Sequence, residues 1–366
     1  VHALAPQADE VVVVDNGSRA AAVAAQAEAA GARVVRTSRN LGYAGGVNVG
    51  AEVATGELIA MVNDDAVAEP GWLDAAESAL DADPALAAVG PTVLLAGRFL
   101  EVVLDDEPWF APGDGRPLGR RVVSVQLDGE ELLDRCLGDG LHRVEHAGVG
   151  AGSPPERWRW SAGRLPFYVP LREGRAPRLL RVNGEETRWR REVDLVNSLG
   201  LYLRPDGYAG DIGAEVPPDG VPVGTAVGDA PRPATGLVER FGLSGVAVAL
   251  RRDAWRCVGP LAASYFAYYE DVDWCWRARL GGWRLGQLPA ALVRHERGAT
   301  SGGLDSARVR FLAERNRLRT LARNAPLRVA LGEAAVKRRG GGDDGVAEVL
   351  PGTLALALVE RARLRT

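Results

Sequence analysis

The sequence predicts an α/β fold, a mostly parallel sheet flanked by helices and interrupted by a β-rich module. Three observations carry that expectation. Residues 10–15 form a continuous β-branched run closed by Asp15, the pattern of a parallel strand buried on both faces. Over the first 97 residues such runs alternate with helical stretches across short connections. From about Arg98 to Asp194 the apolar clusters turn short and are separated by turns, and the alternation resumes at Gly245.

Element by element, Asn16-Gly17-Ser18 ends the first strand, and an alanine-rich helix follows to Gly31, a natural stop. Val34-Val35 reads as the second strand. A glycine-rich loop, residues 39–50, then leads into a helix. Residues 58–62 make a third strand, ended abruptly by Asn63-Asp64-Asp65, and Pro70 is placed as the first residue of a helix carrying Trp72, Leu73 and Leu80. Within the insertion, Asp128-Gly129 and Asn183-Gly184 are hairpin-turn dipeptides. Residues 205–235, rich in Pro, Gly and Asp, read as a loop. Residues 245–250 are a buried strand, Tyr268-Tyr269-Glu270-Asp271 opens a helix that runs through Trp276 to about Leu280, and strands follow around Leu285 and at Leu292-Val293. A longer helix runs from about Ser306 to Arg323, and Gly340-Gly341-Gly342-Asp343-Asp344 is a break in the tail. The expected organisation is 1–97, a nucleotide-sugar-binding half; 98–194, a β-rich insertion; 195–325, an acceptor-binding and catalytic half; and 326–366, a helical and flexible tail.

Composition narrows the function. A net charge of −4 argues against binding nucleic acid by phosphate neutralisation. The three cysteines, Cys136, Cys257 and Cys275, lie far apart, which excludes a cysteine zinc site and fits a reducing, cytoplasmic compartment. The 44 basic residues include a single lysine, Lys337, so a phosphate-loop or Schiff-base lysine is excluded. The longest apolar runs fall well short of a bilayer span.

Four constellations carry chemistry, and each has a plainer reading beside it. Asn63-Asp64-Asp65 at the end of a strand suits Mg²⁺ or Mn²⁺, or is a polar turn before a helix. Asp15 can accept hydrogen bonds from a nucleobase or ribose, or is an ordinary turn residue. Glu270, Asp271 and Asp273 crowd a helix start behind the aromatic stretch 265–269. The helix dipole explains one or two acids, while an acid beside apolar rings can act as a general base. His295, one of four histidines, is the best imidazole for a metal, or is a structural histidine.

Taken in order, Val13-Val14-Asp15-Asn16-Gly17-Ser18, Asn40-x-Gly42-Tyr43-Ala44-x-Gly46-x-Asn48, Asn63-x-Asp65, Leu243-Ser244-Gly245, Tyr269-Glu270-Asp271-Val272-Asp273 with Trp276-Arg277-Ala278, and Arg294-His295 resemble glycosyltransferase family 2. These are inverting enzymes of the GT-A fold, and the likeness is greatest to the rhamnosyl- and galactofuranosyltransferase-like members. It covers about 1–97 and 195–325. The resemblance implies that Asp15, with Asn16, Asn40, Gly42, Asn48, Asp64 and Gly245, holds the nucleotide-sugar donor. It implies that Asp65 and His295 hold a divalent metal and that Asp271 is the catalytic base. Glu270, Asp273, Tyr269 and Trp274 are expected on the acceptor side. The family normally begins with a strand some twenty-five to thirty residues before the valine run, so that strand is expected to lie outside this sequence and to leave the Asp15 strand with an open edge.

The expected activity is transfer of a sugar from a nucleotide-diphosphate donor to a hydroxyl of a glycan or polyprenyl-linked glycan, with cell-wall polysaccharides as the setting. Membrane contact, if any, is expected to be peripheral, at the inner face. The alternative is a catalytically inactive GT-A-like carbohydrate-binding protein. A dinucleotide-dependent dehydrogenase is disfavoured because the glycines after Gly42 have the wrong spacing.

Overall fold

A computed structural model describes residues 1–19, 21–146, 157–220, 236–296, 307–340 and 346–363. Strand β1 (Val12–Asp15) pairs in parallel with β2 (Arg33–Arg36), the two joined by helix α1 (Ala21–Ala29), with Gly31 at φ +87° ending the connection. Helix α2 (Gly42–Val53) starts at Gly42, so most of the glycine-rich stretch is helix rather than the expected loop. The glycines serve packing. A Cβ at Gly50 would lie 3.1 Å from Val14 Cγ2, and one at Gly46 would lie 3.2 Å from Asn16 Nδ2, so α2 sits close on β1 and the turn after it.

Strand β3 (Leu58–Val62) is followed by a short β4 (Ala66–Ala68) and helix α3 (Trp72–Ala82). Gly71, at φ +85°, immediately precedes α3, so Pro70 stands two residues ahead of the helix rather than opening it. Strand β5 (Leu86–Leu95) is buried along its whole length. Later come β6 (Ala247–Arg251), helix α4 (Arg252–Val258), helix α5 (Glu270–Leu280) and β7 (Arg284–His295). Helices α6 (Ala307–Asn324), α7 (Leu327–Gly340) and α8 (Val346–Arg363) complete the chain. The region expected as two strands near 285 and 292 is the single strand β7. Part of the expected 205–235 loop (221–235) and the break at 341–344 lie outside the described residues.

The principal sheet has seven strands in the order Val238–Glu239, β7, β5, β6, β3, with Val196–Ser198 paired to β5 and β4 paired to β7. The α/β class is as expected, but strand direction corrects the expected mostly parallel sheet: β6 runs antiparallel to both β3 and β5, and β7 antiparallel to β4. The crossover through α3 does give β3 and β5 a common direction, as alternation requires. A strand arriving from much later in the chain then enters between them in the opposite sense. Among the described residues β1 pairs only with β2, and β3 only with β6, so each has one unpaired edge.

The period-two alternation of β6 divides the core. Val248 and Leu250 face Ala44 and Ala51 of α2 and Trp274 and Ala278 of α5, while Ala247 and Ala249 join Trp72, Ala76 and Leu80 of α3. The sheet is thus covered by helices on both faces. At the C-terminus, Leu321 and Ala322 of α6 pack with Ala330 of α7 and Ala357 of α8. Among the described residues no helix is long and apolar enough to cross a membrane.

All these helices belong to one compact unit, residues 1–94, 197–212 and 222–366; a second comprises 95–196 and 213–221. The second is built of short antiparallel strands around Leu100, Val102, Val125, Phe167, Val169 and Leu180. Both dipeptides singled out from the sequence are two-residue hairpin turns: Asp128 and Gly129 have φ +50° and +87°, and Asn183 and Gly184 have φ +54° and +83°. Nothing lies within 4 Å of a Cβ built on Gly129 or Gly184, so replacing either by alanine tests backbone conformation alone. Each change, Gly129→Ala or Gly184→Ala, is expected to lower stability by roughly 1–2 kcal/mol in urea unfolding. A cost near zero would show that the turns are not held in this conformation.

Candidate active site

The first cluster gathers where β1 and β2 end. Asp15 is buried; its Oδ1 accepts the Ser18 N–H at 2.9 Å and its Oδ2 lies 3.2 Å from Arg36 Nε. The hydrogen bond from Ser18, aided by the Arg36 charge, holds its carboxyl below the ordinary aspartate range. Gly17, Ser18, Arg36, Thr37 and Ser38 line an open recess of about 390 Å³ at this edge. The neighbouring amides are used within the protein. Asn16 Oδ1 accepts the Leu41 N–H and its Nδ2 donates to Gly42 O, both at 2.9 Å, and Asn40 Oδ1 accepts the Gly42 N–H at 2.8 Å. Together they fix the entry to α2. Asn48 is engaged at both ends by the backbone of Leu261, at 2.9 and 3.0 Å, and so acts as a brace.

A second cluster stands at the ends of β4 and β7. Antiparallel pairing sets His295 opposite Ala66, and the Glu296 N–H donates to Asp65 O at 2.8 Å. His295 Nε2 is then 3.1 Å from Asp65 Oδ1, and His295 Nδ1 is 2.6 Å from Asn197 Oδ1. With the ring proton on Nδ1 and donated to Asn197, Nε2 turns a lone pair toward the carboxylate. A proton on Nε2 makes this 3.1 Å contact a hydrogen bond to Asp65; without it, the two acceptors suit a shared cation. Asp64 beside them is exposed. Among the described residues no group of three or more His, Cys, Asp or Glu side chains gathers to hold a metal, so this is a two-ligand arrangement.

The third cluster is the start of α5. Asp271 is half-buried; its Oδ2 accepts the Gly245 N–H at 3.1 Å and its Oδ1 the Val272 N–H at 2.8 Å. Burial pushes its carboxyl pKa up, against the opposing effect of those bonds. Glu270 is buried with Oε2 unpaired, and burial together with the Asp271 charge holds it well above the usual carboxylate range. Gly245 is held at both ends, because its carbonyl accepts the Tyr43 hydroxyl. The next carbonyl, Val246 O, accepts the Asn63 N–H at 2.9 Å, which ties this backbone to the end of β3. Tyr43, Met61, Gly245, Asp271, Trp274 and Cys275 enclose a cavity of about 20 Å³, room for about one water.

The turn entering α5 is strained. Phe266, Tyr268 and Tyr269 have φ of +69°, +70° and +72°. Phe266, with ψ −64°, is the apex of a γ-turn closed by the Ala267 N–H to Tyr265 O at 2.9 Å, the rarer hand of that turn. Bulky side chains in such conformations cost about 1–3 kcal/mol each. The Phe266 carbonyl accepts the Ala44 N–H at 3.3 Å, at the start of α2, and a Cβ on Gly42 would lie 2.3 Å from that oxygen. Only glycine fits at position 42, where φ is also +75°.

Two residues expected on the acceptor side are core residues instead. Asp273 is fully buried and accepts from Arg277 Nε, Arg323 Nε and Asn324 Nδ2, each at 2.9 Å. Trp274 is buried, with Nε1 donating to Gly259 O at 3.0 Å and its ring stacked on Trp255. Asp273 stands two residues, about 200° around the helix, beyond Asp271, which turns it to the buried side of α5, against α6. Tyr269 is half-buried, and its hydroxyl, pushed up to about 12 by burial, accepts the Ala209 N–H at 3.1 Å. Sequence reasoning missed Arg36, Asn197 and Asn316. Asn316 carries a signal, since with Val309, Leu312 and Thr320 it places a polar side chain on the buried stripe of α6.

Residues 1–117 match the family model described as Glycosyl transferase family 2. That stretch carries Asp15, the start of α2 and Asn63-Asp64-Asp65, and it ends before Asp271 and His295. The chain is also similar to the glucosyl-dolichyl phosphate glucuronosyltransferase of Haloferax volcanii, 34% identical over 79 residues, which is 21% of this chain and 25% of that protein. The chain thus matches about a quarter of the length of that relative. Among solved structures, a crystal structure of GalNAc-T7 with UDP, GalNAc and Mn²⁺ aligns over 86% of this chain and 41% of its own, at 10% identity and a TM-score of 0.47.

The Asp273 cluster yields a direct test. Asp273→Ala leaves two guanidiniums, each only 6% exposed, without their shared carboxylate. Unfolding by denaturant should show a loss of about 3–5 kcal/mol. A loss below 1 kcal/mol would return Asp273 to the list of functional acids.

Proposed function

We propose that this chain carries the catalytic machinery of an inverting GT-A glycosyltransferase of family 2, moving a sugar from a nucleotide-diphosphate donor to a hydroxyl. The observation that carries the reading is the Asp271 carboxylate. It is half-buried at a helix N-terminus with its pKa raised, and backbone hydrogen bonds through Gly245 and Val246 connect it to β3, whose family-matched end bears Asp64 and Asp65. In this reading Asp271 removes the acceptor proton as the hydroxyl attacks the anomeric carbon from the face opposite the leaving group. Burial and the Asp271 charge raise the Glu270 pKa, which disfavours a second negative charge in the site.

The recess beside Asp15 and Arg36 takes the nucleotide, with Asp15 accepting from base or ribose. Asn16, Asn40 and Gly42 act indirectly, by fixing the start of α2 beside it. Asp65 and His295 fit a divalent metal, Mg²⁺ or Mn²⁺, as one oxygen and one nitrogen ligand, with Asn197 setting the tautomer. Such an ion supplies charge neutralisation for the departing diphosphate. Asp64, exposed at the same turn, lies on the donor side. The acceptor class we favour is a glycan or polyprenyl-linked glycan, consistent with the glucosyl-dolichyl phosphate in the name of the Haloferax volcanii relative. Binding at the inner face of a membrane fits that acceptor.

A donor screen that reads nucleoside diphosphate release tests the reading. Asp271→Asn should lower turnover by ~10²–10⁴-fold with donor affinity little changed. Because only the ionised carboxylate accepts a proton, the rate should fall as pH drops through a value above the ordinary aspartate range. Asp65→Ala and His295→Ala should lower metal-dependent donor affinity and turnover together. Donor binding without transfer in the parent, unaffected by Asp271→Asn, would establish the carbohydrate-binding alternative instead.

A further inference from the structure

The strained turn before Asp271 is held from one side by side chains of α6, with Asn316 at their centre. Asn316 of α6 is fully buried, and the two N–H groups of its Nδ2 are shared among Tyr265 O, Ala267 O and Tyr268 O, at 3.1, 2.9 and 2.8 Å. Its Oδ1 accepts from Arg315 Nε at 3.0 Å, and Arg315 Nη2 also donates to Tyr265 O at 2.8 Å. Arg319 donates to Ser264 O at 2.7 Å. Three carbonyls converging on one point repel each other unless a donor stands between them, and an apolar or acceptor side chain could not fill that place. On the opposite side the same turn rests its Phe266 carbonyl on the first turn of α2. The chain leaves this turn through Tyr268 and Tyr269 directly into Glu270 and Asp271.

We propose that Asn316 is a positioning residue: its buried amide holds the strained 265–269 turn and thereby sets the Asp271 carboxylate relative to the start of α2. The consequence for transfer rests on the function proposed above, whereas the clamp itself does not. Without the donor amide, Phe266 and Tyr268 lose the contacts that hold them at positive φ, and the turn relaxes toward ordinary backbone. Asp271 then moves with its helix terminus while the sheet and α3 stay in place.

Backbone amide hydrogen exchange on the full chain tests the clamp. In Asn316→Ala, amides of residues 266–271 should exchange at least about tenfold faster, the effect of about one lost hydrogen bond's worth of local stability. Protection in β6, β7 and α3 should be unchanged. Tyr268→Gly removes strain at one clamped position, so the effect of Asn316→Ala should be at least about threefold smaller in that background, a coupling that two independent sites would not show. Should Asn316→Ala fail to fold alone, the pair with Tyr268→Gly should fold. With a donor that the parent turns over, kcat should fall about 10–100-fold while donor KM holds. Unchanged exchange at 266–271, loss of protection throughout the sheet, strict additivity, or failure of both variants to fold would each overturn the proposal. A parent without turnover on any donor would overturn the transferase reading, and the exchange comparison would still decide this one.

Discussion

The carboxylate of Asp273 is the contact on which the arrangement of this site depends. It sits one turn into α5, out of water, and joins that helix to α6 through Arg323 and Asn324. Arg277, its partner on the same helix, extends the link to the carbonyls of Val258, Gly259 and Pro260. Arg323 extends it the other way, to Glu360 of α8. A charge withdrawn from water is tolerable only when every lone pair is met, and here both oxygens are met by charge-assisted donors. The arginines in turn need the carboxylate. Each member therefore fixes the others, and the N-terminus of α5 is aimed as a result.

The aromatic turn has the opposite character. It carries strain in place of satisfied charge, and it persists because rigid elements hold it on two sides. Where the Asp273 network holds α5 by attraction, the turn holds its first residues by confinement between α6 and α2. Glycine at position 42 is part of that confinement, since the α2 side can approach only because it lacks a Cβ. For a carboxylate proposed to take a proton, fixed geometry is worth more than any single contact, because small displacements are costly there.

Much of the fold was legible in the sequence where local pattern decides. The bounds of β3 follow from an apolar run ended by acids, α5 ends where expected but starts after Tyr268 and Tyr269, which the positive-φ turn takes, and both hairpin dipeptides form the turns their chemistry demands. Legibility failed where long-range pairing decides. Strand β5 contains Gly90-Pro91, a pair that argues against a central strand, yet it lies buried at the centre of the sheet; β7 contains Pro289 and is one strand where two were expected. The direction of β6 depends on a partner nearly two hundred residues earlier in the chain. Of the residues in these clusters, Asp15 and His295 end strands, Asp271 lies in the first turn of a helix and Asp65 stands between β3 and β4, positions that local pattern singles out. Asn197 and Asn316 are not singled out in this way, because their importance lies in neighbours that only the fold supplies. Asp273 was misread for a related reason: an acid beside other acids looks functional until the arginines around it are seen.

The placement of His295 against Asp65 is measured out by a ladder. The two side chains meet because Val293, Arg294 and His295 lie opposite Ala68, Val67 and Ala66, with the next rung closed by the Glu296 N–H. A β-ladder is a ruler with one-residue graduations, and a slip of one graduation turns every side chain to the opposite face. The spacing of these two groups is therefore counted in whole residues rather than adjusted continuously. Length changes in the chain on either side of β4 and β7 leave it untouched, whereas a single residue gained or lost within either strand separates the imidazole from the carboxylate in one step. For these two side chains, evolution can alter the loops freely but has no intermediate setting for the pair itself.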